Sequence, residues 1–148
     1  MNKHPQTLSL SGRQWSGIHG TLVGTNTGLG TGYANTSAAV TQDSTADKAI
    51  TLAWNYSNNS KEDWHLPSRV ELNEICKYAR QQTTGDTSVA CNNSGSLRAD
   101  FMPTVYSSSS ENNSNGAYVW YHLFGSGAHQ GNGAQKQSTY PIRPVRAF

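Results

Sequence analysis

The sequence predicts a single α+β domain, in which helices pack on short strands. Residues 45–54 and 69–81 carry apolar side chains at helical spacing. Residues 101–124 hold two apolar-aromatic segments separated by a very polar one, which is the pattern of a β-hairpin. The chain has 148 residues, which is enough for one domain with a core of its own.

Glycine and threonine dominate residues 12–37, which include the run GTLVGTNTGLGTGYANT. The run does not complete the dinucleotide-binding pattern G-x-G-x-x-G, because Tyr33 and Asn35 occupy the third-glycine positions. It also lacks the G-K-[ST] end of a phosphate-binding Walker loop. We therefore expect turns and short strands in this part of the chain.

Two helices are expected next. In residues 45–54, TADKAITLAW, alanine and isoleucine recur at helical spacing, and the polar run that follows ends the helix. The helix expected over residues 69–81 has a clearer start. Ser68 and Glu71 form an S-x-x-E capping box, and Pro67 prevents the helix from beginning earlier.

The strands are expected in the second half of the chain. The stretch TTGDTSVACNNSGSLRAD is predicted to be a loop that leads to the hairpin of residues 101–124. The run GSGAHQGNGAQKQST is expected to form another polar loop before a last strand in residues 140–148, YPIRPVRAF. Two prolines in that strand favour an edge position or a local irregularity.

The composition limits the function classes. Charged residues make up 14% of the chain and the net charge is +2, which does not indicate a nucleic-acid-binding protein. No stretch has the length of a membrane span, so we expect no direct insertion into a membrane. No apolar run of signal-peptide length occurs in the first ten residues, MNKHPQTLSL, and we expect targeting information to lie elsewhere in a longer protein.

The two cysteines, Cys76 and Cys91, are 15 positions apart. A disulfide between them is the simplest expectation; it would indicate an oxidising compartment and contribute about 3 kcal/mol in the chain-entropy model. Two unpaired buried thiols are the alternative. A metal site would need ligands from elsewhere, because no histidine lies near the cysteines in sequence. No metal or other cofactor is predicted.

Charges are sorted around the second predicted helix. At about 100° per residue, Arg69, Lys77 and Arg80 fall on one stripe beside the apolar face, and Glu71 and Glu74 fall on the far side. A solvated helix face is one interpretation, since cations near a helix C-terminus also suit its dipole. A polyanion-binding stripe is the other. Three basic residues expected in loops could extend it: Lys61, Arg98 and Lys136.

Four motifs in a fixed order resemble the Lcl C-terminal-domain family. They are DWHLPS followed by Glu71-Leu72, YSSSSE with Ser107 where the family usually has tryptophan, AYVW, and IRPVR. The upstream run GTGYANT is also similar to the family, so the resemblance extends from about Gly30 to the end of the chain. The residues that carry the structural motif are Trp64, Leu66, Pro67, Ser68, Glu71, Tyr106, Trp120, Arg143, Pro144 and Arg146.

The resemblance implies a C-type-lectin-like fold, with two helices packed on short, twisted antiparallel strands and with long polar loops. It implies that residues 1–148 form one head domain, with 1–11 as a flexible lead-in from an upstream stalk. The implied protein is a secreted, homotrimeric, collagen-like adhesin on the bacterial cell surface. Its implied partners are sulfated glycosaminoglycans of the heparin, heparan or chondroitin sulfate type.

The last strand bears on where such a partner would bind. Alternation along a strand puts Arg143 and Arg146 on opposite faces, so the two arginines would make a poor single patch. Because both belong to the family motif, we expect them to have a mainly structural role, satisfying loop carbonyls and stacking on rings. An exposed Trp120 or Tyr121 could stack on a sugar ring, although core packing suits Trp120 better.

Protein recognition is the alternative function. The same head could recognise a protein through its SSSSENNSNGA and GSGAHQGNGAQKQS loops, as in a phage receptor-binding protein. An enzyme is not expected, because no nucleophile motif accompanies the histidines and the two cysteines look paired with each other. His122 and His129 are expected in loops rather than in a metal site, because no third ligand is suggested.

Overall fold

The computed structural model describes residues 12–57, 60–125 and 128–146. Within these ranges, three helices and three strands follow in chain order: α1 (Gly32–Gln42), α2 (Ala49–Asn55), α3 (Arg69–Ala79), β1 (Val105–Glu111), β2 (Tyr118–Leu123) and β3 (Gln130–Gln135). The strands form an antiparallel sheet in the order β1-β2-β3. The α+β prediction is therefore confirmed. The lead-in expected at residues 1–11 lies outside the described residues.

Helix α3 begins as the sequence predicts. The Ser68 hydroxyl accepts a hydrogen bond from the Glu71 N–H at 3.3 Å, and the Glu71 carboxylate accepts one from the Ser68 N–H at 2.9 Å. This is the reciprocal capping box, and it fixes the first turn. The helix ends at Ala79, two residues before the predicted end.

Helix α1 was not predicted, because turns and short strands were expected there. Its buried residues are spaced like a helix face, at Gly32, Asn35, Thr36 and Ala39, but they are small or polar. Hydrogen bonds take the place of apolar packing: the Thr36 hydroxyl accepts from the Leu66 N–H at 3.1 Å. A Cβ on Gly32 would lie 2.7 Å from the Leu66 carbonyl oxygen, so only glycine permits this close approach.

Strand β3 is the second correction, because the run around it was expected to be a loop. QGNGAQ lacks β-branched and aromatic residues, which is why the sequence gave no strand signal. Its glycines let the neighbouring strand lie close: a Cβ on Gly131 would meet the Tyr121 hydroxyl at 2.7 Å. The hairpin of β1 and β2 itself is confirmed.

The expected last strand is reduced to two isolated bridges. Tyr140 pairs with Arg13, and Val145 pairs with His65, and neither bridge extends into a ladder. Residues 147–148 lie outside the described part of the chain. The proline pair of this segment is consistent with its irregularity, since proline cannot donate to a ladder.

The sheet separates two apolar clusters. Tyr121 of β2 packs with the cluster around Trp15, α1 and α2, whereas Tyr106 of β1 packs with the cluster around α3. The Cys76–Cys91 disulfide lies in the α3 cluster and confirms the predicted pairing. It connects α3 to the long loop that follows it, which otherwise has little regular structure.

Candidate ligand-binding surface

The motif DWHLPS, together with Glu71 and Leu72, connects the starts of two helices. The Glu71 carboxylate accepts hydrogen bonds from the Gly30 N–H at 2.7 Å and the Gly32 N–H at 3.3 Å, besides that of Ser68. Burial raises the pKa of Glu71, but these bonds and the nearby His65 ring outweigh it and leave the pKa below its ordinary value. A charged carboxylate therefore joins the N-termini of α1 and α3.

Other motif residues fill the interior around this junction. Trp64 and Leu66 are buried, and the Trp64 ring packs edge-on against Tyr56. The Pro67 carbonyl accepts a hydrogen bond from the Ser109 N–H at 2.8 Å, which attaches the motif to β1. Tyr106 is fully buried and its hydroxyl accepts from the Met102 N–H at 3.1 Å. None of these side chains is available to a ligand.

Lys136 was a candidate for polyanion binding, and the structure corrects this. Its ammonium group is fully buried, 2.7 Å from the Glu111 carboxylate and 4.7 Å from the centre of the Trp15 ring. Burial raises the pKa of Glu111, but the bond from Lys136 and backbone N–H groups of residues 23–25 leave it below its ordinary value. The pair anchors the glycine-rich loop to the end of β1.

The predicted basic stripe on α3 does not exist as an exposed surface. Lys77 is 1% exposed; its ammonium group lies 2.5 Å from Glu74 and donates to the Asp86 carbonyl at 2.7 Å. Arg80 is 8% exposed and caps the end of α3. Its guanidinium donates to backbone carbonyls of Asn93, Ser94, Gly95, Phe124 and Gly125. The loop after α3 covers both residues, which a helical projection cannot show.

The two arginines of the C-terminal motif are also engaged within the molecule. Arg143 is buried against the Phe101 ring, 4.2 Å from its centre, and donates to the Asp100 carbonyl at 2.5 Å. Arg146 forms a two-bond ion pair with Asp63, at 2.5 and 3.0 Å, at the surface. Their contacts are intramolecular, in keeping with the structural role that we expected.

Two of the loop candidates do remain exposed. Arg98 lies over the Tyr78 ring at 4.3 Å and donates its Nε to the Tyr78 carbonyl at 2.8 Å. Lys61 is exposed near the Arg146–Asp63 pair; the bond from Arg146 lowers the pKa of Asp63, and Lys61 adds a smaller effect in the same direction. The Arg98 position adjoins the C-terminal end of α3, so about 15 Å of helix separates it from Arg69. These cations do not form one patch.

Arg69 differs from the other basic residues of α3. It is half-buried, its guanidinium lies 3.9 Å from the centre of the Trp120 ring, and its Nε donates to the Gln130 side chain at 3.0 Å. No described residue accepts a hydrogen bond from its two terminal amino groups. The stack therefore presents a cation, a partly exposed indole and an amide on one surface, which we call the Arg69–Trp120 surface.

The strand pairing around Trp120 is irregular on both sides. On the β3 side the register jumps from Val119–Ala134 to Tyr121–Gly131, so two residues of β3 face Trp120 alone. The β1 register is also interrupted at this level. Such bulges redirect side chains and are common beside binding sites. Trp120 was expected mainly in the core, and Gln130 had no sequence signal at all, because only the folded sheet brings it to Arg69.

His122 is not in a loop, as was expected, but in β2. The ring is 1% exposed and packs edge-on against Phe124. Burial, together with the neighbouring His129, lowers the pKa of His122 to about 4. The ring is therefore uncharged at neutral pH. His129 is exposed and packs against Tyr121.

Comparison with known families decides what kind of domain this is. The sequence model of the Lcl C-terminal domain matches residues 12–146. The chain belongs to the Lcl C-terminal domain family. No curated protein and no solved structure matches it.

Membership in the Lcl C-terminal domain family indicates a domain of adhesin-type surface proteins. The longest helices have 11 residues, and none in the described part of the chain has the length and apolar composition that a membrane crossing requires. The buried residues of the family motif hold the fold together. On the Arg69–Trp120 surface, by contrast, the terminal amino groups of Arg69 have no acceptor among the described residues.

Proposed function

We propose that the domain is the head of a secreted bacterial cell-surface adhesin that binds sulfated glycosaminoglycans at the Arg69–Trp120 surface, without catalysis. The observation that carries the proposal is the stacked Arg69 guanidinium, whose terminal amino groups have no acceptor among the described residues. Family membership supports the adhesin part of the proposal.

The chemistry of this surface suits a sulfated sugar. A guanidinium offers parallel N–H donors that match two oxygens of one sulfate group. The adjoining indole offers an apolar face to a pyranose ring, and the Gln130 amide can bond a sugar hydroxyl. We expect heparin, heparan sulfate and chondroitin sulfate to compete for the same surface.

Few charges are free to contribute, so one site should bind weakly. Four of the ten described basic side chains are buried: Lys77, Arg80, Lys136 and Arg143. Two more, Arg13 and Arg146, are ion-paired. A homotrimer on a collagen-like stalk would present three copies of the surface to one polysaccharide, and linked sites raise the overall affinity without new contacts. We propose this assembly for the full-length protein.

The architecture supports a C-type-lectin-like fold as part of the same proposal. Helices pack on both faces of a small antiparallel sheet, and long polar loops connect the elements. In this proposal the head needs no cofactor, binds no nucleic acid and does not insert into a membrane. An experimental structure of the trimeric head would test both the fold and the assembly.

The binding test compares two variants that each remove one positive charge. Immobilised heparin is titrated with the wild-type domain, Arg69→Gln and Arg13→Gln at low and near-physiological salt. Arg13 is the matched control, because it is a half-buried arginine paired with Asp47. We expect Arg69→Gln to weaken binding at least about tenfold, since a hydrogen bond to a charged group contributes about 1.5–3 kcal/mol. Trp120→Leu should weaken binding as well.

The salt dependence of binding distinguishes glycosaminoglycan binding from protein recognition. Binding to a sulfated chain should weaken as salt increases, because the contact is largely electrostatic. Equal binding by wild type, Arg69→Gln and Arg13→Gln would refute the site, and no heparin binding at low salt would refute the polyanion proposal.

A protein-recognition head is the second candidate. The extensive internal use of basic side chains favours it, because the exposed loops are left with neutral amides and hydroxyls. Such a head would bind a receptor protein through adaptable hydrogen bonds and would do so with little dependence on salt. Salt-insensitive capture of a purified receptor protein, without heparin affinity, is the result that would favour this candidate.

A further inference from the structure

His122 has an unusual environment for a histidine. Its side chain is 1% exposed, and neither ring nitrogen has a hydrogen-bond partner among the described residues. Buried polar atoms without partners are rare, and each one calls for a physical reason such as a bound water or ion. The His122 ring takes no part in the Arg69–Trp120 surface, because it packs against Phe124 in the α3 cluster.

The nearest groups that can bind a metal are the two cysteines. A ring nitrogen of His122 and the sulfurs of Cys76 and Cys91 all lie within 4.8 Å of one another. The three residues come from β2, α3 and the loop after α3, so their meeting depends on the fold alone. Asn73 positions Cys91, because its side-chain oxygen accepts a hydrogen bond from the Cys91 N–H at 2.9 Å.

The arrangement suits a small thiophilic cation. Tetrahedral zinc sites use Cys₂His sets with bonds of about 2.0–2.3 Å, which places their ligand atoms roughly 3.3–3.8 Å apart. A ring nitrogen of His122 lies within 4.8 Å of both sulfurs, which are bonded to each other in the oxidised chain, and the Cα atoms of the cysteines are 5.9 Å apart. Small side-chain rotations would separate the two sulfurs after reduction, without a change of backbone path.

We propose that the reduced domain binds one thiophilic cation of the Zn²⁺ type through Cys76, Cys91 and one ring nitrogen of His122, in place of the disulfide. The same core position then carries either of two cross-links, and the redox state selects between them. In a reducing compartment the metal would connect α3, its following loop and β2. In an oxidising one the disulfide connects only the first two. This inference goes beyond the proposed adhesin function and does not depend on it.

The exchange between the two states balances with a low-molecular-weight disulfide such as glutathione disulfide. One cysteine thiolate attacks a sulfur of that disulfide, forms a mixed disulfide and releases one glutathione thiolate. The second cysteine thiolate then attacks the protein sulfur of the mixed disulfide and releases the second glutathione thiolate. Two electrons pass from the protein to glutathione, and the cation leaves because its thiolate ligands are gone.

The experiment uses the whole 148-residue chain. The protein is reduced with a phosphine under argon, given Zn²⁺, passed through a desalting column and analysed for bound zinc. We expect one Zn²⁺ per reduced chain and none per oxidised chain. Glutathione disulfide should release one Zn²⁺ for each Cys76–Cys91 disulfide formed, as followed with a chromophoric chelator. A reduced chain that retains no stoichiometric zinc would overturn the proposal.

His122→Leu tests the third ligand, with His19→Leu as the matched control. The leucine preserves apolar volume and removes both unpartnered nitrogens, so the oxidised variant should fold, which circular dichroism checks. Competition with the chelator should show zinc affinity reduced more than about 100-fold in His122→Leu, more than the loss of an outer-sphere partner causes, and unchanged in His19→Leu. Equal affinity in all three proteins would overturn the assignment.

A measurement on the wild type covers the case in which the variant fails to fold. In a nitrogen-15 histidine spectrum of the reduced chain, Zn²⁺ should shift the ring resonances of one histidine, and this shift should persist when each of the other four histidines is substituted in turn. Unmoved histidine resonances at saturating Zn²⁺ would overturn the assignment of His122 as a ligand.

Discussion

Replacing Lys136 with methionine would leave a buried carboxylate without its counter-charge. Both partners of the Lys136–Glu111 pair are fully buried, and their charged atoms are 2.7 Å apart. Methionine keeps most of the apolar stem and loses the ammonium group that lies over the Trp15 ring. The substitution therefore removes the charge with little loss of volume.

The size of the effect follows from what Glu111 can do next. A carboxyl group with an ordinary pKa of 4.5 costs about 3 kcal/mol to protonate at pH 7, at about 1.4 kcal/mol per pH unit. Protonation limits the penalty of the unpaired charge to about that amount, within the range known for broken buried pairs. We expect a loss of about 3 kcal/mol of unfolding free energy, or roughly 6–12 °C in Tm for a domain of this size.

Acid should narrow the difference in unfolding free energy between the wild type and Lys136→Met. In the wild type the pKa of Glu111 lies below its ordinary value, so its stabilisation is present above pH 4.5 and is lost as the pH falls through the lower folded-state pKa. In Lys136→Met, burial without the lysine raises the pKa of Glu111. The variant then binds a proton in its folded state at a higher pH than in its unfolded state, so acid stabilises it relative to the wild type.

Urea unfolding followed by circular dichroism at pH 7 and pH 4.5 measures these effects. Lys61→Met is the control, because Lys61 is an exposed lysine, and it should change stability by less than about 0.5 kcal/mol. The double variant Glu111→Gln/Lys136→Met should be more stable than Lys136→Met at pH 7. If Lys136→Met unfolds like the wild type but loses heparin affinity, Lys136 is a surface ligand and the burial argument fails.

Three further substitutions test other contacts. Ser68→Ala should cost about 1 kcal/mol by urea unfolding, since it removes the N-cap of α3, and a loss below about 0.3 kcal/mol would contradict the capping role. Gly95→Ala should lower Tm clearly, because a Cβ there would meet the Arg80 carbonyl and the φ angle is +76°, whereas Gly133→Ala, with open space around it, should change Tm little; equal Tm values would refute the steric argument. Arg80→Met should cost about 2–4 kcal/mol, because two buried and three partly buried carbonyls lose their donor, and stability equal to that of Arg98→Met would show that those bonds contribute nothing.

Local patterns determined the parts of the fold that were predicted correctly. Helix α3 combines an apolar face with a capping box, and the β1–β2 hairpin combines two aromatic segments with a polar turn. Each signal lies within about 25 residues, so no distant contact is needed to read it. The cysteine pairing was predictable for a simpler reason, since Cys76 has only Cys91 to pair with.

Elements whose buried side chains are small or polar could not be predicted from the sequence. Helix α1 buries Asn35 and Thr36 through hydrogen bonds, and β3 depends on glycines that accept a neighbour's ring. Hydrophobic periodicity does not register either device, because the favourable contacts come from partners far along the chain. Asn35, for example, donates to the Ser109 hydroxyl at 3.1 Å.

The sequence by itself determined the α+β class, the capped helix, the hairpin, the disulfide partners and, through its motifs, the family. Only the tertiary structure decided which cations reach solvent. Helical projection places Arg69, Lys77 and Arg80 on one stripe, but the loop after α3 buries the last two, while the folded sheet places the Trp120 ring against the first. The physical reason is that spacing along a chain fixes the direction of a side chain within its own element, whereas exposure depends on which distant segment packs against it.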